Sequence, residues 1–415
     1  MNFVVIFSRD KHIGWMRVPF WPNTGRIRAL TDYPRVFMKV RFFTLIALLA
    51  AASSFAADVR PLPAAPIIGA TSYFVIDAKT GHEIAALKPD TAVAPASLTK
   101  LMTAYVVFKS LSEDQIHLDD EVTVSEKAWR AEGSRMFIEV GKRVSVQNLL
   151  LGMIVQSGND ASIALAEHVA GSEDVFAEIM NQYAKALGML SSNFVNTTGL
   201  PHDDHYSTAR DLSTLARAII GEFPEYYNWY SVKEFTFNNI TQPNRNNLLW
   251  RDDSVDGMKT GHTDAAGYCL VSSAKRDEMR VVSVVLGTSS AKARIDGSQA
   301  LINYAFRFFE TRLLFKAGEA IAQARIWKSA NEVTSLGVLD DLYITVQRGT
   351  YDSLDSVHNI PAILVAPVAQ GQPLAELNVS LNGTELISEP LRALADNPSG
   401  SIWQRTRDSV SLWFE

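Results

Sequence analysis

The sequence predicts a mixed α/β (α+β) domain, followed by a small β-rich domain and a C-terminal amphipathic helix. Strand and helix patterns are mixed between about Ile67 and Phe309. After about Leu313, short apolar segments alternate with turn residues, and segment 401–415 has apolar side chains at helical spacing. The 415 residues, 47% hydrophobic and 20% charged, fit two or three globular domains.

The residues before the first domain have the features of a leader. Residues 38–56 combine a positively charged start, an apolar run over 42–52 and small residues before a cleavage site after Ala56, which are the three parts of a secretory signal peptide. The apolar run is too short to span a membrane. Residues 1–37 are expected to be a non-native or upstream extension, with Met38 as the true start. The protein is therefore predicted to be exported.

The first folded domain is expected over residues 62–312. The predicted strands cover residues 72–77, 83–87, 267–274 and 278–286, and the first two and the last two form hairpins. The predicted helices begin near Ser97 and cover 149–154, 163–169 and 299–309. No transmembrane helix is expected in the mature chain, because it has no apolar stretch of about 20 residues.

The β-rich domain is expected over residues 315–396. Its turn signals are Gly337, Gly349, Pro361, Gly371 and Gly383. It carries no cluster of catalytic residue types. A role as a spacer and a role in contacting another protein both remain open.

Segment 401–415 is predicted to form an amphipathic helix that anchors the protein to a membrane surface. On a helical wheel, one face of about 120° carries Ile402, Trp403, Thr406, Val410, Trp413 and Phe414. Trp403, Trp413 and Phe414 suit a helix that lies in a membrane interface. The alternative is a helix packed on its own protein. Residues 397–400, Asn-Pro-Ser-Gly, are expected to form a hinge, which favours a detached anchor.

Composition argues against several kinds of partner and cofactor. The net charge is −6, and the body of the chain has no basic stripe, so no nucleic acid is expected. The single cysteine, Cys269, excludes an intrachain disulfide and is expected to be buried in a strand. The eight histidines show no His-Glu-x-x-His spacing, so neither a metal nor another cofactor is expected.

The first of three chemical motifs is Ser97-Leu98-Thr99-Lys100. A serine and a lysine three residues apart on a helix share one face, so the amine can reach the hydroxyl. A neutral Lys100 can accept the proton of Ser97, and backbone N–H groups at the helix start favour a developing anion. The motif predicts a nucleophile and its base, although Ser-x-x-Lys alone often occurs by chance.

The second motif is Ser157-Gly158-Asn159, which follows an apolar helical run. A loop that presents a hydroxyl and an amide can relay a proton and hold a peptide carbonyl. Alone, this motif is most often a polar turn between helices. It supports a catalytic site only because it follows the serine/lysine motif in the sequence.

The third motif is Lys259-Thr260-Gly261, followed by His262 at a strand-like region. Lysine supplies positive charge, threonine a hydroxyl, and Gly261 allows a substrate backbone to approach the strand edge closely. Each motif is weak alone. The three in this order, behind an export signal, predict a catalytic site.

In this order the motifs resemble those of penicillin-binding proteins and serine β-lactamases. With residues 95–103, 156–161, 206–211, 244–246 and 256–263, the sequence is similar to low-molecular-mass D-alanyl-D-alanine carboxypeptidases of the penicillin-binding protein 5 and 6 type, peptidase family S11. The resemblance implies a penicillin-binding transpeptidase-like catalytic domain. It also implies a periplasmic enzyme, held at the inner membrane, that trims the terminal D-Ala from peptidoglycan stem pentapeptides and is covalently inhibited by β-lactams.

The mechanism expected for such an enzyme begins with attack of Ser97 on the D-Ala-D-Ala carbonyl. Lys100 would take the proton, its pKa lowered by burial and by the like charge of Lys259. Ser157 would relay a proton toward the departing amine. Asn159 would hold the substrate amide and orient the base.

Further groups are expected to bind charge on the substrate. The oxyanion hole would consist of the backbone N–H of the nucleophile and, by resemblance, that of His262. Lys259 and Thr260 would bind the terminal carboxylate. Because arginine binds carboxylates in a fork, Arg294 and Arg210 are named by resemblance as further candidates, against the alternative of structural ion pairs.

Two other functions remain open. A class A β-lactamase would share the motifs but needs a glutamate base between the second and the third, whereas residues 194–207 contain Asp203 and Asp204 and no glutamate. A non-catalytic cell-wall-binding protein could keep the same fold. The intact Ser97 and Lys100 argue against that alternative.

Overall fold

The computed structural model describes residues 61–414. The strands are β1 (Ser72–Asp77), β2 (Glu83–Leu87), β3 (Glu121–Thr123), β4 (Arg143–Ser145), β5 (Glu234–Phe237), β6 (Ile240–Pro243), β7 (Val255–Thr263), β8 (Gly267–Arg276), β9 (Met279–Thr288), β10 (Phe309–Phe315), β11 (Ala322–Arg325), β12 (Val333–Gly337), β13 (Leu342–Gln347), β14 (Leu354–Asn359), β15 (Pro373–Leu381) and β16 (Thr384–Ala393). The helices are α1 (Lys100–Ser112), α2 (Glu126–Trp129), α3 (Val146–Val155), α4 (Asn159–Ala170), α5 (Glu173–Ala186), α6 (Ala209–Glu222), α7 (Pro224–Tyr227), α8 (Leu248–Arg251), α9 (Ala291–Phe308) and α10 (Ile402–Ser411).

The first part of the chain is built on one antiparallel sheet in the order β2-β1-β9-β8-β7. Side chains alternate between its two faces, as the strand period of two requires. On β1, Val75 joins a core that includes α9, whereas Phe74 and Ile76 join the larger core that contains α1 and α3 to α6. Helices therefore cover both faces, and β7 is left as an edge strand.

Helix α1 runs through the larger core and is buried on nearly all sides. Leu101, Met102 and Val107 are fully buried, although they lie on different faces of the helix. A helix surrounded in this way needs apolar residues all round. Lys100 at its first turn is buried although its side chain can be charged, so this charge must be accounted for within the core.

The second part is β-rich. A five-stranded sheet has the order β11-β12-β16-β15-β14, and β10 pairs with β13. Its own core includes Leu336, Ile344, Leu377 and Leu391. The domain boundary was expected at residues 312–315, but strand β10 spans these residues. The first strand of the β-rich part therefore follows α9 directly.

Most elements expected from the sequence are present, with longer bounds. The hairpins β1–β2 and β8–β9 are confirmed. The helix expected over 299–309 begins earlier, at Ala291, where Ser290 accepts a hydrogen bond from the Ala293 N–H. The sequence reasoning missed α5 and α6, although their buried residues, among them Phe176, Met180, Leu212 and Leu215, recur at helical spacing.

The C-terminal helix is present, but the segment before it is not a free hinge. The Asn397 N–H donates to the Val368 carbonyl at 2.8 Å, and the Gly400 N–H donates to the Lys328 carbonyl at 2.8 Å. The Asp408 carboxylate accepts from the Lys328 N–H at 2.6 Å. The expectation of a detached anchor was therefore wrong, because backbone pairing fixes residues 397–400 to the β-rich part.

Two expectations concern the ends of the chain and the membrane. The signal peptide at 38–56 and the extension at 1–37 lie outside the described residues. Within residues 61–414, none of the helices has both the length and the apolar character needed to cross a bilayer.

Candidate active site

Ser97 lies in a 3₁₀ turn, Ala96–Thr99, that leads directly into α1. Ala96 has a φ of +47°, which is unusual for a residue with a side chain. The Thr99 hydroxyl donates to the Ala96 carbonyl at 2.8 Å, and Gly199 passes this carbonyl so closely that a Cβ there would collide with it. The turn that presents Ser97 is therefore held by its surroundings in a conformation it would not prefer alone.

Lys100 is buried beside Ser97, as the first motif predicts. Its Nζ lies 3.2 Å from Ser97 Oγ, 2.6 Å from Asn159 Oδ1 and 2.7 Å from the Thr198 carbonyl oxygen. Burial, and then the positive charge of Arg245, lower the pKa of Lys100 to about 7. The amine can therefore be neutral near neutral pH.

The contacts of Lys100 suit a neutral amine. Such an amine has two N–H donors and one lone pair, and two acceptors, Asn159 Oδ1 and the Thr198 carbonyl, surround Nζ. If they take both donors, the lone pair is left for the hydroxyl of Ser97. In that arrangement Lys100 can accept the Ser97 proton.

Lys259 shares this burial and repels charge on Lys100. Its pKa is lowered well below the usual range, first by burial and then by the charges of Lys100, Arg245 and Arg294. Charge on Lys259 is therefore unfavourable. However, the positive charge that lowers the pKa of Lys100 is that of Arg245, which the sequence reasoning did not name for this role.

The second motif forms the turn between α3 and α4. Ser157 has a φ of +67° and is almost fully buried, and its Oγ has no hydrogen-bond partner among residues 61–414. Asn159 bonds Lys100 through Oδ1 and donates from Nδ2 to the Glu132 carbonyl at 2.5 Å. Asn159 thus orients the base, and one N–H of its amide remains for other contacts.

The third motif lies on edge strand β7, beside the turn of Ser97. A Cβ on Gly261 would lie 3.1 Å from the Pro95 carbonyl and 3.3 Å from the Ala96 Cβ. A glycine is therefore needed at this position so that the turn that carries Ser97 can pack against β7. The expected approach of a substrate is a second reason. On one side β7 pairs with β8, and no strand among residues 61–414 pairs with its other edge, which an extended peptide can therefore approach.

A cavity of about 300 Å³ joins the three motifs. It is lined by Ser97, Ser134, Ser157, Arg245, Thr260, Gly261, His262, Tyr268 and Arg294. The nucleophile, the free hydroxyl of Ser157 and two guanidinium groups therefore face one space. The His262 ring stacks on Tyr268, with ring centroids 3.9 Å apart.

Lys259 itself does not line this cavity. Its side chain is 2% exposed and its Nζ donates to the Thr260 carbonyl at 3.1 Å. Burial lowers its pKa first, and the charges of Lys100, Arg245 and Arg294 lower it further, so Lys259 lies close to other groups of the site. The expectation that Lys259 binds a carboxylate stays a prediction.

Two arginines, Arg245 and Arg294, line the cavity in which a carboxylate is expected to bind. Arg294 is buried, and its Nη1 donates to the Gly261 carbonyl at 3.2 Å, while its Nε has no partner among the described residues. Arg245 donates from Nε to the Gln156 carbonyl at 3.0 Å. Both guanidinium groups keep N–H donors for a ligand.

The sequence reasoning missed Arg245, although it noted the Asn-Arg-Asn segment. Asn244 and Asn246 are buried, and Asn244 Nδ2 donates to the Val232 carbonyl at 2.9 Å. Asn246 Nδ2 donates to the Gly257 carbonyl at 3.0 Å. Two buried amides thus fold a loop that turns the arginine between them toward the cavity, and an arginine flanked by asparagines was the available signal.

Arg210 is not part of the site. Its guanidinium donates to Asp90 at 2.7 Å and to Glu83 at 3.2 Å, and it lies over the Phe74 ring. It does not line the cavity. The expectation of a carboxylate-binding role was wrong, and the alternative of a structural ion pair is what the structure shows.

Two family models match the chain. The model described as D-alanyl-D-alanine carboxypeptidase, peptidase family S11, matches residues 60–290. The model described as penicillin-binding protein 5, C-terminal domain, matches residues 309–399. Together they cover the part with the cavity and the β-rich part.

Individual relatives agree with these models. The chain is 39% identical over 361 residues to D-alanyl-D-alanine carboxypeptidase DacA of Escherichia coli K12, covering 85% of this chain and 90% of that protein. Penicillin-binding protein 5 of Haemophilus influenzae has a TM-score of 0.78 at 40% identity, covering 81% of this chain and all of that one. Penicillin-binding protein D2 of Listeria monocytogenes, solved in an ampicillin-bound form, has a TM-score of 0.54 at 30% identity, covering 58% of this chain and 98% of that one. This chain belongs to the D-alanyl-D-alanine carboxypeptidases of peptidase family S11, of the penicillin-binding protein 5 and 6 type.

Proposed function

We propose that the enzyme removes the terminal D-Ala of peptidoglycan stem pentapeptides through an acyl-enzyme on Ser97. The observation that carries this proposal is the buried amine of Lys100, 3.2 Å from Ser97 Oγ and with a pKa of about 7. In the first step, Ser97 Oγ bonds to the carbonyl carbon while its proton passes to Lys100 Nζ. The amide bond then breaks, and the departing amine takes a proton by way of Ser157. Water finally cleaves the ester.

The substrate is proposed to lie along the free edge of β7. An extended peptide there pairs with backbone groups of the strand and brings its carbonyl to the Ser97 turn. The N–H groups of Ser97 and His262 then stabilise the negative oxygen of the tetrahedral intermediate. The edge position of β7 and its contact with residues 95–98 support this arrangement.

The terminal carboxylate is proposed to meet Arg245, Arg294 and the hydroxyl of Thr260. All three line the cavity that contains Ser97. Two guanidinium groups can form charge-assisted hydrogen bonds with one carboxylate, which are stronger than neutral ones. This set makes the site specific for a peptide that ends at the residue after the scissile bond.

β-Lactams are proposed to acylate the same serine, because they carry a reactive carbonyl and a carboxylate. The ampicillin-bound relative supports this proposal. Rapid turnover as in a class A β-lactamase is not expected. Among residues 61–414 no carboxylate lines the cavity, and Asp203 and Asp204 in the corresponding stretch are exposed at the surface.

We also propose that the enzyme is exported to the periplasm and rests on the inner membrane through α10. The exposed fractions of Trp403, Trp413 and Phe414 are 85%, 89% and 85%. Asp408 and Arg407 hold the helix on the β-rich part through polar contacts. Trp403 in α10 and Trp413 and Phe414 just after it are therefore exposed to solvent, as an interfacial anchor requires.

A release assay tests the proposed function. The purified enzyme should liberate D-Ala from diacetyl-Lys-D-Ala-D-Ala, and stoichiometric penicillin should abolish the release. The matched variant Arg210→Ala should retain most of the activity, because its ion pairs lie outside the cavity. Absence of D-Ala release, with penicillin hydrolysed in many turnovers instead, would contradict the proposal in favour of a β-lactamase.

A further inference from the structure

A second cavity, of about 270 Å³, lies beside the active site. One wall is the loop over residues 132–140, and the other is the β5–β6 hairpin. Its principal lining residues are Trp129, Arg135, Phe137, Glu139, Asn238 and Ile240. We call this cavity the side groove.

The side groove adjoins the active site at the loop over residues 132–140. Ser134 lines the active-site cavity, and the next residue, Arg135, lines the side groove. Consecutive Cα atoms lie about 3.8 Å apart, so the two cavities meet at adjacent residues of this loop. A peptide that leaves the active site along this loop therefore passes the side groove.

The loop is held by the same residues that hold the base. The Asn159 N–H donates to the Ser134 carbonyl at 2.7 Å. The buried carboxylate of Asp160 accepts from the N–H groups of Met136 at 3.0 Å and Phe137 at 2.9 Å. Phe137 has a φ of +66° and yet is 43% exposed. A strained backbone that holds an aromatic ring in solvent indicates a binding surface.

The opposite wall is fastened to the loop. Asn238 Nδ2 donates to the Phe137 carbonyl at 3.3 Å, and Gln242 Nε2 donates to the Arg135 carbonyl at 3.2 Å. The two walls are thus joined before any ligand binds. A preformed groove loses little conformational entropy on binding.

The lining of the side groove combines apolar surface with both signs of charge. Trp129, Phe137 and Ile240 are each exposed by 41–43%. A guanidinium, Arg135, and a carboxylate, Glu139, stand beside them. The volume lies just below the range of about 300–1,000 Å³ for small-molecule pockets, so the groove fits one residue rather than a long segment.

We propose that the side groove binds the side chain of the diamino acid that precedes D-Ala-D-Ala in the stem peptide. Its aliphatic part packs on Phe137 and Trp129. Its terminal amine pairs with Glu139, and its terminal carboxylate pairs with Arg135. The adjacency of the two cavities and this charge complementarity favour a side chain that ends in both groups. The inference rests on the proposed function.

The test compares two substrates, a meso-diaminopimelate pentapeptide and diacetyl-Lys-D-Ala-D-Ala. For Arg135→Ala and for Phe137→Ala, the ratio of kcat/KM between the first and the second substrate should fall roughly tenfold, as for loss of one charged or aromatic contact. Arg130→Ala removes a nearby exposed arginine that pairs with Glu126 outside the groove, and it should leave the ratio unchanged. Penicillin acylation of each variant reports whether the active site is intact.

The outcomes separate the inference from the proposed function. An unchanged ratio in both groove variants would overturn the inference. Failure of the wild-type enzyme to release D-Ala from diacetyl-Lys-D-Ala-D-Ala would overturn the proposed function. That result does not depend on the groove.

Discussion

Lys100 shows how one side chain determines the chemistry of the site. Its amine is buried, lies between the carbonyl of Thr198 and the amide of Asn159, and faces Ser97. Burial penalises the charged form, and Arg245 adds repulsion. The pKa of about 7 follows from these surroundings, and a proton acceptor with such a pKa is well matched to neutral pH.

The first prediction concerns pH. Penicillin acylation should rise about tenfold per pH unit below a midpoint near 7 and level off above it, because only neutral Lys100 accepts the proton. Stopped-flow measurement of the acylation rate between about pH 5 and 9 checks this. In Arg245→Gln the midpoint should move upward, since a repelling charge is lost. A midpoint near 10 in the wild-type enzyme would contradict the account.

The same group has a consequence for stability. The unfolded chain keeps the Lys100 proton up to a pKa of 10.5, whereas the folded chain releases it near 7. Between these values the unfolded state binds more protons. The contribution of Lys100 to the free energy of unfolding therefore rises with pH across this window.

Single residues also show where sequence reasoning stops. The spacing of Ser97 and Lys100 on one helical turn fixed their contact, so it could be predicted. No such rule told Arg210 from Arg245, because Arg210 pairs with a residue far along the chain, and the asparagines beside Arg245 bond to backbone groups of other segments. Arg210 faces Asp90, whereas Arg245 is turned inward by buried asparagines. Only the assembled fold separates a surface ion pair from a ligand-binding group.

Among the elements, helix α10 has two sides that can be changed separately by mutation. Its polar side is tied to the β-rich part through Asp408, while its aromatic side stays exposed. A helix fixed in this way would place the β-rich part at a set orientation on a bilayer. The sequence predicted the helix and its face from their period, but it could not predict the docking, which depends on the Lys328 backbone.

The second prediction concerns this helix. Replacing Trp403, Trp413 and Phe414 together by alanine should weaken binding to neutral phosphatidylcholine vesicles at least about tenfold, because aromatic burial supplies most of the affinity. Arg405→Ala, on the opposite face, is the matched control and should bind nearly as the wild type does. Vesicle co-sedimentation checks both. Equal binding by the triple variant would show that α10 is not the anchor.

At the scale of the whole molecule, a buried polar cluster connects the two parts. Asp77 at the end of β1 accepts from the Thr311 hydroxyl at 2.8 Å, and that hydroxyl lies 2.9 Å from the Thr345 hydroxyl. The Thr80 hydroxyl is 2.7 Å from the same Thr345. These contacts join the sheet of the catalytic part to the β10–β13 pair, so the two parts are fastened close to their covalent junction.

More of the overall architecture than of the site could be predicted from the sequence. Alternating and helical periods are local, so the hairpins, the buried helix after Ser97 and the β-rich second part follow from them. The side groove does not, because it arises from a strained Phe137 held by Asp160 and from a hairpin far along the chain. Long-range hydrogen bonds decide such features, and they leave no period in the sequence.

The most direct test of the central claim is the position of the covalent penicillin adduct. Wild-type enzyme and Ser97→Ala are treated with labelled penicillin, digested and analysed by mass spectrometry. One adduct is expected in the wild-type enzyme, on the peptide that contains Ser97, and no label is expected on the alanine variant. Equal labelling of Ser97→Ala, or an adduct mapped to another residue, would contradict the assignment of Ser97 as the nucleophile.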